Sequence, residues 1–250
     1  MKKILMTLVL APAMAGEPAA VTNACDTSRN PWPVAAFRRS GLTPRSGPTV
    51  NGYKWRYCVR QGVATIGTLG KSAGDVVSPK PTGQVTIPST LGGYNVTCIG
   101  DRAFRNCGEL TSVTIPEGMA TIGQFAFENC GKLTSVGIPS SVLNIRSGAF
   151  AGCDQLTSIK LPQGLKEIGF FAFKMCRKLT SVTIPKDVSR IGGKAFAGCT
   201  QIKHFEVDAD NSHFTSIDGI VYTIHRPMLL TTVKNSRQST FPLTARAGLG

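Results

Sequence analysis

The central part of the chain repeats itself every 23 residues, and this period limits the possible folds more than any other feature. The dipeptide Ala-Phe recurs five times at this spacing, and a cysteine follows each phenylalanine three residues later. These positions are Phe104, Phe127, Phe150, Phe173 and Phe196, with Cys107, Cys130, Cys153, Cys176 and Cys199. Because so many positions keep one register, the sequence predicts a stack of similar units in which equivalent side chains form columns.

Each unit also contains an apolar segment that ends in proline. In the first unit, Leu110-x-x-Val113-x-Ile115 alternates in its second half, which predicts a short strand. Pro116 ends that strand because proline donates no ladder hydrogen bond. The Ala-Phe segment then packs the opposite wall of the unit. One unit alone cannot bury both walls, whereas units stacked about 4.8 Å apart bury them against each other.

The segments Leu-Thr-Ser-Val-Thr-Ile-Pro and Ile-Gly-x-x-Ala-Phe-x-x-Cys resemble the BspA-like, or treponemal-type, leucine-rich repeats over about residues 85–234. Ordinary leucine-rich repeats carry asparagine three residues after the last apolar strand residue. Here that position holds Gly118, Ser141, Gly164 and Asp187, which fits the BspA-like subclass. The resemblance implies a mainly β leucine-rich-repeat solenoid, a short right-handed coil of about five 23-residue repeats over residues 97–205, with β-hairpin caps at both ends.

The segment before the repeats is expected to form an N-terminal β cap over residues 53–96. Residues 53–59 and 63–67 flank Arg60-Gln61-Gly62, which is a hairpin pattern that would cover the open edge of the first repeat. The spacing from Pro88 to Pro116 is five residues longer than the period, and Gly92-Gly93 within it predicts a turn. Residues 16–52 are rich in proline and glycine, so we expect them to form an irregular linker or arm.

The segment after the repeats is expected to form a C-terminal β-hairpin cap over residues 206–234. Asp218-Gly219 is a typical hairpin turn, and residues 228–233 are predicted to be a last strand. Residues 235–250 are expected to be a loose tail.

The beginning of the chain predicts export. Two lysines precede a short apolar stretch that ends at Pro12, and Ala13-Met14-Ala15 is a small-x-small cleavage pattern, so residues 1–15 are read as a signal peptide. Cys25 could be a degenerate lipid-attachment site, and the sequence leaves this open. No later segment reaches the about 18 apolar residues of a membrane helix. We therefore expect an exported chain without a transmembrane segment, which is periplasmic, associated with the cell surface or outer membrane, or secreted.

The cysteines and histidines do not form a pattern that predicts catalysis. The five repeat cysteines have no His or carboxylate at a fixed offset, so buried thiols are expected instead of a metal site. Cys58 and Cys98 lie outside the repeat positions and could be joined in a disulfide or remain unbridged. His204, His213 and His225 accompany no catalytic motif. The sequence therefore predicts neither an enzyme nor a cofactor.

The outward positions of the predicted strands form a candidate binding surface on the concave face. Its residues are Thr111, Thr114, Thr134, Thr157, Lys160, Thr180, Thr183 and Lys203. Small hydroxyl side chains lose little entropy on binding and can both donate and accept hydrogen bonds. The alternative is that Thr and Ser merely suit strands, and the near-identity of Thr-Ser from repeat to repeat supports that alternative.

Export, a repeat fold and the lack of a reaction centre together favour a binding function. The BspA-like resemblance implies a surface protein that attaches to host matrix proteins, host cells or other microbes, and we expect a monomer with a protein partner. The alternative is a periplasmic scaffold or carrier that holds a peptide or apolar ligand in its concave face. The net charge of +14 also favours acidic partners such as sulfated glycans, but the absence of like-charge runs argues against nucleic acid.

Overall fold

The computed structural model describes residues 45–67, 76–224 and 229–231, which contain strands and turns and no helix. The strands before the repeats are β1 (Arg45–Val50), β2 (Tyr53–Arg60), β3 (Val63–Ile66), β4 (Val77–Ser78), β5 (Gly83–Thr86), β6 (Thr90–Leu91) and β7 (Tyr94–Ile99). Those of the repeats are β8 (Leu110–Thr114), β9 (Thr121–Ile122), β10 (Ser135–Gly137), β11 (Asn144–Ile145), β12 (Glu167–Ile168), β13 (Ser181–Ile184), β14 (Arg190–Ile191) and β15 (His204–Val207). The last three are β16 (Phe214–Ile217), β17 (Ile220–Thr223) and β18 (Leu229–Thr231).

The N-terminal strands β1, β2 and β3 form an antiparallel meander that continues into the repeats. Gln61 and Gly62 both have positive φ between β2 and β3, as the two central residues of a tight type I′ hairpin turn require. The next strand in this sheet is β7, which pairs parallel to β3. The antiparallel start thus passes directly into the parallel stacking of the repeats.

One N-terminal strand was not expected from the sequence. Arg45–Val50 forms the edge strand β1, although the proline content predicts an irregular arm up to residue 52. The pairing with β2 shifts between Ser46 and Thr49, so Gly47 and Pro48 lie in a bulge. Proline is tolerated at bulges on edge strands, because no neighbouring strand needs its missing N–H group.

The repeats stack through two parallel walls. In the first, which we call the isoleucine wall, β7, β9, β11, β12 and β14 pair in order, and Ile122 faces Ile145 while Ile145 faces Ile168. In the second, β5, β8 and β10 pair in one sheet and β13 and β15 in another. Each repeat therefore pairs with the equivalent positions of the next, which confirms the leucine-rich-repeat fold and its mainly β content.

The second wall is interrupted in its middle. Residues 157–160 were predicted to form a strand like their equivalents, but the structure leaves them outside the ladders of both β10 and β13. The amide of Thr157 reaches the carbonyl oxygen of Thr134 only at 3.5 Å, against 2.9 Å for the equivalent bond from Thr134 to Thr111.

After the repeats, β16, β17 and β18 form an antiparallel sheet. Asp218 and Gly219 have positive φ values of 51° and 72°, so the hairpin turn lies at the Asp-Gly pair that the sequence indicates. A second predicted turn also lies in place, because β6 and β7 pair antiparallel around Gly92 and Gly93.

Candidate binding surfaces

The predicted surface on the second wall, here called the hydroxyl wall, is open to solvent. Thr114, Thr134, Thr157, Lys160, Thr180, Thr183 and Lys203 are exposed, and Thr111 is half-buried. The inward neighbours Val113, Val136 and Val182 are buried, so alternation along the strands separates the two sets.

Several threonines of the hydroxyl wall hold neighbouring repeats together. The hydroxyl of Thr134 donates to the carbonyl oxygen of Thr111 at 3.1 Å, and that of Thr180 donates to the carbonyl oxygen of Thr157 at 3.3 Å. Each of these carbonyl oxygens also accepts the backbone amide of the same threonine. The Thr-Ser repetition therefore has a structural cause in part, as the alternative interpretation expects, while the surface stays available for contacts.

Charged side chains also connect neighbouring repeats. Lys132 lies 2.6 Å from Glu109, and Arg177 lies 2.7 Å from Asp154, each pair joining residues one period apart. Lys166 pairs with Asp187 of the next repeat at 3.2 Å, although these two residues are not at equivalent positions. Exposed pairs of this kind contribute at most about 1 kcal/mol each, so we regard them as fixing the register more than the stability.

The repeat phenylalanines form one buried column. Successive rings from Phe104 to Phe196 stack with centroids 5.0 to 5.4 Å apart and planes within 7° of parallel. Trp55 meets the first ring edge-on at 6.2 Å, and Phe205 meets the last ring edge-on at 5.2 Å. The predicted column is therefore present, and aromatic side chains close it at both ends.

The repeat cysteines form a second column beside the first. The thiol of Cys130 donates to the carbonyl oxygen of Phe104 at 3.1 Å, and Cys153 bonds Phe127 at 3.2 Å in the same way. Equivalent bonds join Cys176 to Phe150 and Cys199 to Phe173. Burial raises the pKa of Cys130 to about 12 and raises the pKa of Cys153 well above its ordinary value. Cys130 and Cys153 are therefore protonated donors between repeats and poor nucleophiles, whereas a hydrogen bond with Cys176 lowers the pKa of Cys199.

A direct bridge between Cys58 and Cys98, which the sequence left open, does not form. Cys58 lies opposite Thr65 in the pairing of β2 with β3, and Thr65 lies opposite Cys98 in the pairing of β3 with β7. The two cysteines are thus two strands apart, or about 9.6 Å, which exceeds the Cα separation of a disulfide. Cys98 is disulfide-bonded, but Cys58 is not its partner.

Two positions in each repeat adopt left-handed backbone conformations that the sequence analysis missed. The first set is Arg102, Phe125, Gly148, Phe171 and Lys194, and the second is Asn106, Asn129, Gly152, Met175 and Gly198. Left-handed conformations favour glycine and asparagine, and three of these positions carry glycine and two carry asparagine. Only that partial bias was visible in the sequence, because bulkier residues occupy the same positions in other repeats.

Two exposed aromatic residues were also missed. Phe170 is 60% exposed and Phe171 is 36% exposed, and they are the exposed large hydrophobic side chains among the described residues. They follow β12 and Gly169 at the edge of the isoleucine wall. The signal was present in the sequence, because other repeats carry Asp101, Gln124, Ser147 and Gly193 at the position of Phe170.

The histidines show no catalytic arrangement in the described part of the chain. His204 lies 3.5 Å from Glu206, and the ring of His213 bonds the hydroxyl of Ser212 at 3.1 Å. His225 lies outside the described residues. Among residues 45–67, 76–224 and 229–231, no three His, Cys, Asp or Glu side chains converge as a metal site would require. Over the same ranges, no helix has the length and hydrophobicity that a membrane crossing needs.

Comparison with known proteins agrees with this architecture. A family model described as the BspA type leucine rich repeat region matches residues 83–217 in six copies, one more than the about five predicted. The match begins at the first residue of β5, which stacks on β8 before the first Ala-Phe pair. No curated protein is similar enough to match.

Three solved structures resemble the chain. A leucine-rich repeat protein from Bacteroides ovatus is 34% identical, with a TM-score of 0.51 over 66% of this chain and 41% of that chain. The pneumococcal vaccine antigen PcpA is 22% identical, with a TM-score of 0.56 over 78% of this chain and 58% of that one. The T. pallidum protein TpLRR is 34% identical, with a TM-score of 0.48 over 49% and 57%. The chain thus spans about half the length of the proteins it matches.

Proposed function

Because the chain belongs to the BspA-type leucine-rich-repeat family, we propose that it is an exported protein that binds other proteins and attaches to host or extracellular-matrix components. The observation that carries this proposal is the separation of buried and exposed side chains within each repeat. Phe and Cys columns supply the cohesion inside, and the hydroxyl wall presents exposed Thr and Lys side chains outside. A protein that binds without catalysis needs no reactive groups in addition to these exposed side chains.

The finer architecture belongs to the same proposal. We infer a right-handed solenoid over residues 97–205, with residues 53–96 and 206–234 acting as end caps. Support comes from Trp55, which closes one end of the phenylalanine column, and from Ser216, whose hydroxyl donates to the carbonyl oxygen of Phe205 at 2.6 Å at the other end. Capped ends keep an open stack of strands soluble and monomeric.

Binding to purified matrix proteins at physiological salt tests the proposed function. Wild-type protein should be retained, and the double variant Lys160→Glu/Lys203→Glu should be retained less, because both changes reverse exposed charges on the hydroxyl wall. The double variant Lys54→Glu/Arg56→Glu is the matched control, since it reverses the same number of exposed charges on β2, outside the hydroxyl wall. Retention no greater than that of an unrelated basic protein would contradict the proposal.

The place of action distinguishes attachment from the periplasmic scaffold or carrier. Antibody against the mature chain should label unpermeabilised cells if the protein acts at the surface. Labelling that appears only after permeabilisation would instead support the scaffold. Heparin serves as a further probe, because the net charge of +14 also suits sulfated glycans.

A further inference from the structure

Positive charge is concentrated in the last repeats. Residues 97–165 carry five basic and five acidic side chains and are neutral, whereas residues 166–203 carry eight basic and two acidic side chains, a net charge of +6. The excess therefore belongs to the same repeats that expose Phe170 and Phe171.

One lysine contacts Phe171, and Phe170 lies against a glycine of the next repeat. The ammonium of Lys174 lies 5.3 Å from the ring centroid of Phe171. Phe170 lies against Gly193. Two of its ring carbons are 3.5 and 3.6 Å from the position that a Cβ at this glycine would take. Lys194 follows that glycine and occupies the position equivalent to Phe171 in the next repeat. This leaves a side-chain-free ledge between an exposed ring and an exposed cation.

The lysines at this ledge are not neutralised within the described chain. Among those residues, the ion pairs of the last repeats involve Lys166, Arg177 and Arg190, and none involves Lys174 or Lys194. The nearest acids along the chain are Glu167 and Asp187, and they already contact Arg190 at 3.0 Å and Lys166 at 3.2 Å. An incoming carboxylate would therefore find two available cations and no competing acid at the ledge.

The stack itself does not need aromatic residues here. Equivalent repeats place Ser147 and Gly148 at these two positions, and Phe171 has a left-handed φ of 57°, which is costly for a bulky residue. Phe125 occupies the position of Phe171 two repeats earlier, but no other repeat carries two adjacent aromatic residues here. An exposed aromatic pair with one strained member in an otherwise regular array is typical of a functional surface. The hydroxyl wall, by contrast, repeats its Thr-Ser pattern.

We propose that Phe170, Phe171, Lys174 and Lys194, here called the aromatic–basic patch, bind an acidic segment of a partner protein that also carries apolar side chains. An apolar side chain of the partner packs on Phe170 over the glycine ledge, while flanking carboxylates pair with the two lysines. The proposal rests on the proposed function only in assuming that the chain binds proteins, and it names a second surface and the chemistry of its partner.

The test uses the full chain and a fluorescent peptide in which Leu and Phe alternate with Glu and Asp. Anisotropy should show binding that weakens with added salt, because exposed charge pairs are screened. Phe170→Ser and the double variant Lys174→Glu/Lys194→Glu should each weaken binding by about tenfold or more. The double variant Lys54→Glu/Arg56→Glu is the matched control, since it reverses two exposed charges on β2, outside both binding surfaces, and should leave peptide affinity unchanged. A peptide of equal charge with Ser in place of Leu and Phe should bind more weakly.

Other occupants give distinguishable outcomes. Failure to bind the peptide would overturn the proposal. The proposal would also be overturned if the peptide is not bound and another occupant depends on Phe170 instead. The occupants to test are vesicles of equimolar phosphatidylcholine and phosphatidylserine, heparin, and a second copy of the chain. Because Phe170 is mostly exposed, Phe170→Ser should keep the wild-type circular dichroism and urea midpoint, so loss of binding is not loss of folding. If matrix binding persists without peptide binding, only the patch fails, and if both are absent, the proposed function fails too.

Discussion

Single residues in this protein act mainly on their equivalents one period away. The thiol of Cys153 meets the carbonyl oxygen of Phe127 in the preceding repeat, and the amide of Asn129 donates to Asn106 at 3.0 Å. Free cysteine is often treated as a small hydrophobic residue, and the sequence predicts only that role. The structure adds a hydrogen bond between repeats, because the stacking places each thiol under a carbonyl oxygen with a second lone pair to satisfy.

The buried thiols predict a stability that falls at alkaline pH. The pKa of Cys130 rises from its ordinary 9.0 to about 12 on folding, so the folded state holds this proton more tightly than the unfolded state. The stabilisation is complete below about pH 9 and is lost as pH rises from about 9 to about 12, by about 1.4 kcal/mol per pH unit for each such thiol. Urea unfolding under reducing conditions, at about pH 8 and about pH 10.5, measures this loss.

The variant Cys130→Ala is the control for this pH dependence. It should be less stable at neutral pH, since it removes a thiol hydrogen bond and leaves a small cavity. It should also lose less stability between the two pH values, because one titrating thiol is gone. An unchanged pH dependence would show that Cys130 ionises normally in the folded chain.

At the scale of elements, the repeats are held close by turns as well as by strands. The strands of the isoleucine wall contain only two residues each from β9 to β14. The left-handed positions lie in the turns between walls, where the backbone amides of one repeat donate to carbonyl oxygens of the next. The bonds from Phe104, Phe127, Phe150 and Phe173 measure 2.7 to 2.8 Å. Ordered turns therefore carry much of the pairing that longer strands would carry in a sheet.

Gly152 tests the turn geometry. Its φ is +73°, and a Cβ there would lie 2.6 Å from Oδ1 of Asn129. Gly152→Ala should lower the free energy of unfolding by about 1–2 kcal/mol, because it combines a left-handed alanine with a steric contact. Gly131→Ala is the matched control, since no atom lies within 4 Å of its Cβ position. The control should be neutral or stabilising by about 0.5 kcal/mol, and equal effects of the two changes in urea unfolding would contradict this account.

At the scale of the whole molecule, the aromatic column is a continuous core. It extends from Trp55 before the repeats to Phe205 in β15, and the five stacked phenylalanines between them are buried to at least 94%. A stack of this kind gains its stability from contacts between neighbouring repeats, so one defect in the middle weakens both halves. The two proposed binding surfaces lie outside this core, so we expect them to tolerate substitution without altering it.

Two phenylalanines twenty residues apart test this separation of core and surface. Phe150→Ala removes the central ring of the column and should lower the free energy of unfolding by about 3–5 kcal/mol. Phe170→Ala makes the same substitution at a mostly exposed position and should change stability by less than about 0.5 kcal/mol. Urea unfolding followed by circular dichroism measures both. Similar losses would mean that Phe170 belongs to the core.

The period by itself determined the stack, the buried column and the mainly β content. In a repeated chain each residue's most important neighbour is its own equivalent 23 positions away, so sequence spacing already specifies that contact. The Phe column and the Asp218-Gly219 turn follow from this reasoning and from local turn chemistry. The two-residue strands of the isoleucine wall lie around Ile122 and its equivalents, for which the sequence analysis gives no strand.

The tertiary structure decided the order of the strands within the sheets and the surroundings of the residues that differ between repeats. The position of β3 between Cys58 and Cys98 excludes their bridge, and no spacing in the sequence gives that order. A bulge at Pro48 allows residues 45–50 to pair as a strand, although their composition predicts an irregular arm. Phe170 lies at the surface because the turn after β12 places this repeat position on the outside. The spacing of the sequence does not give the direction of that turn. Local patterns define which residues repeat, but only packing in three dimensions defines what each non-repeating residue meets.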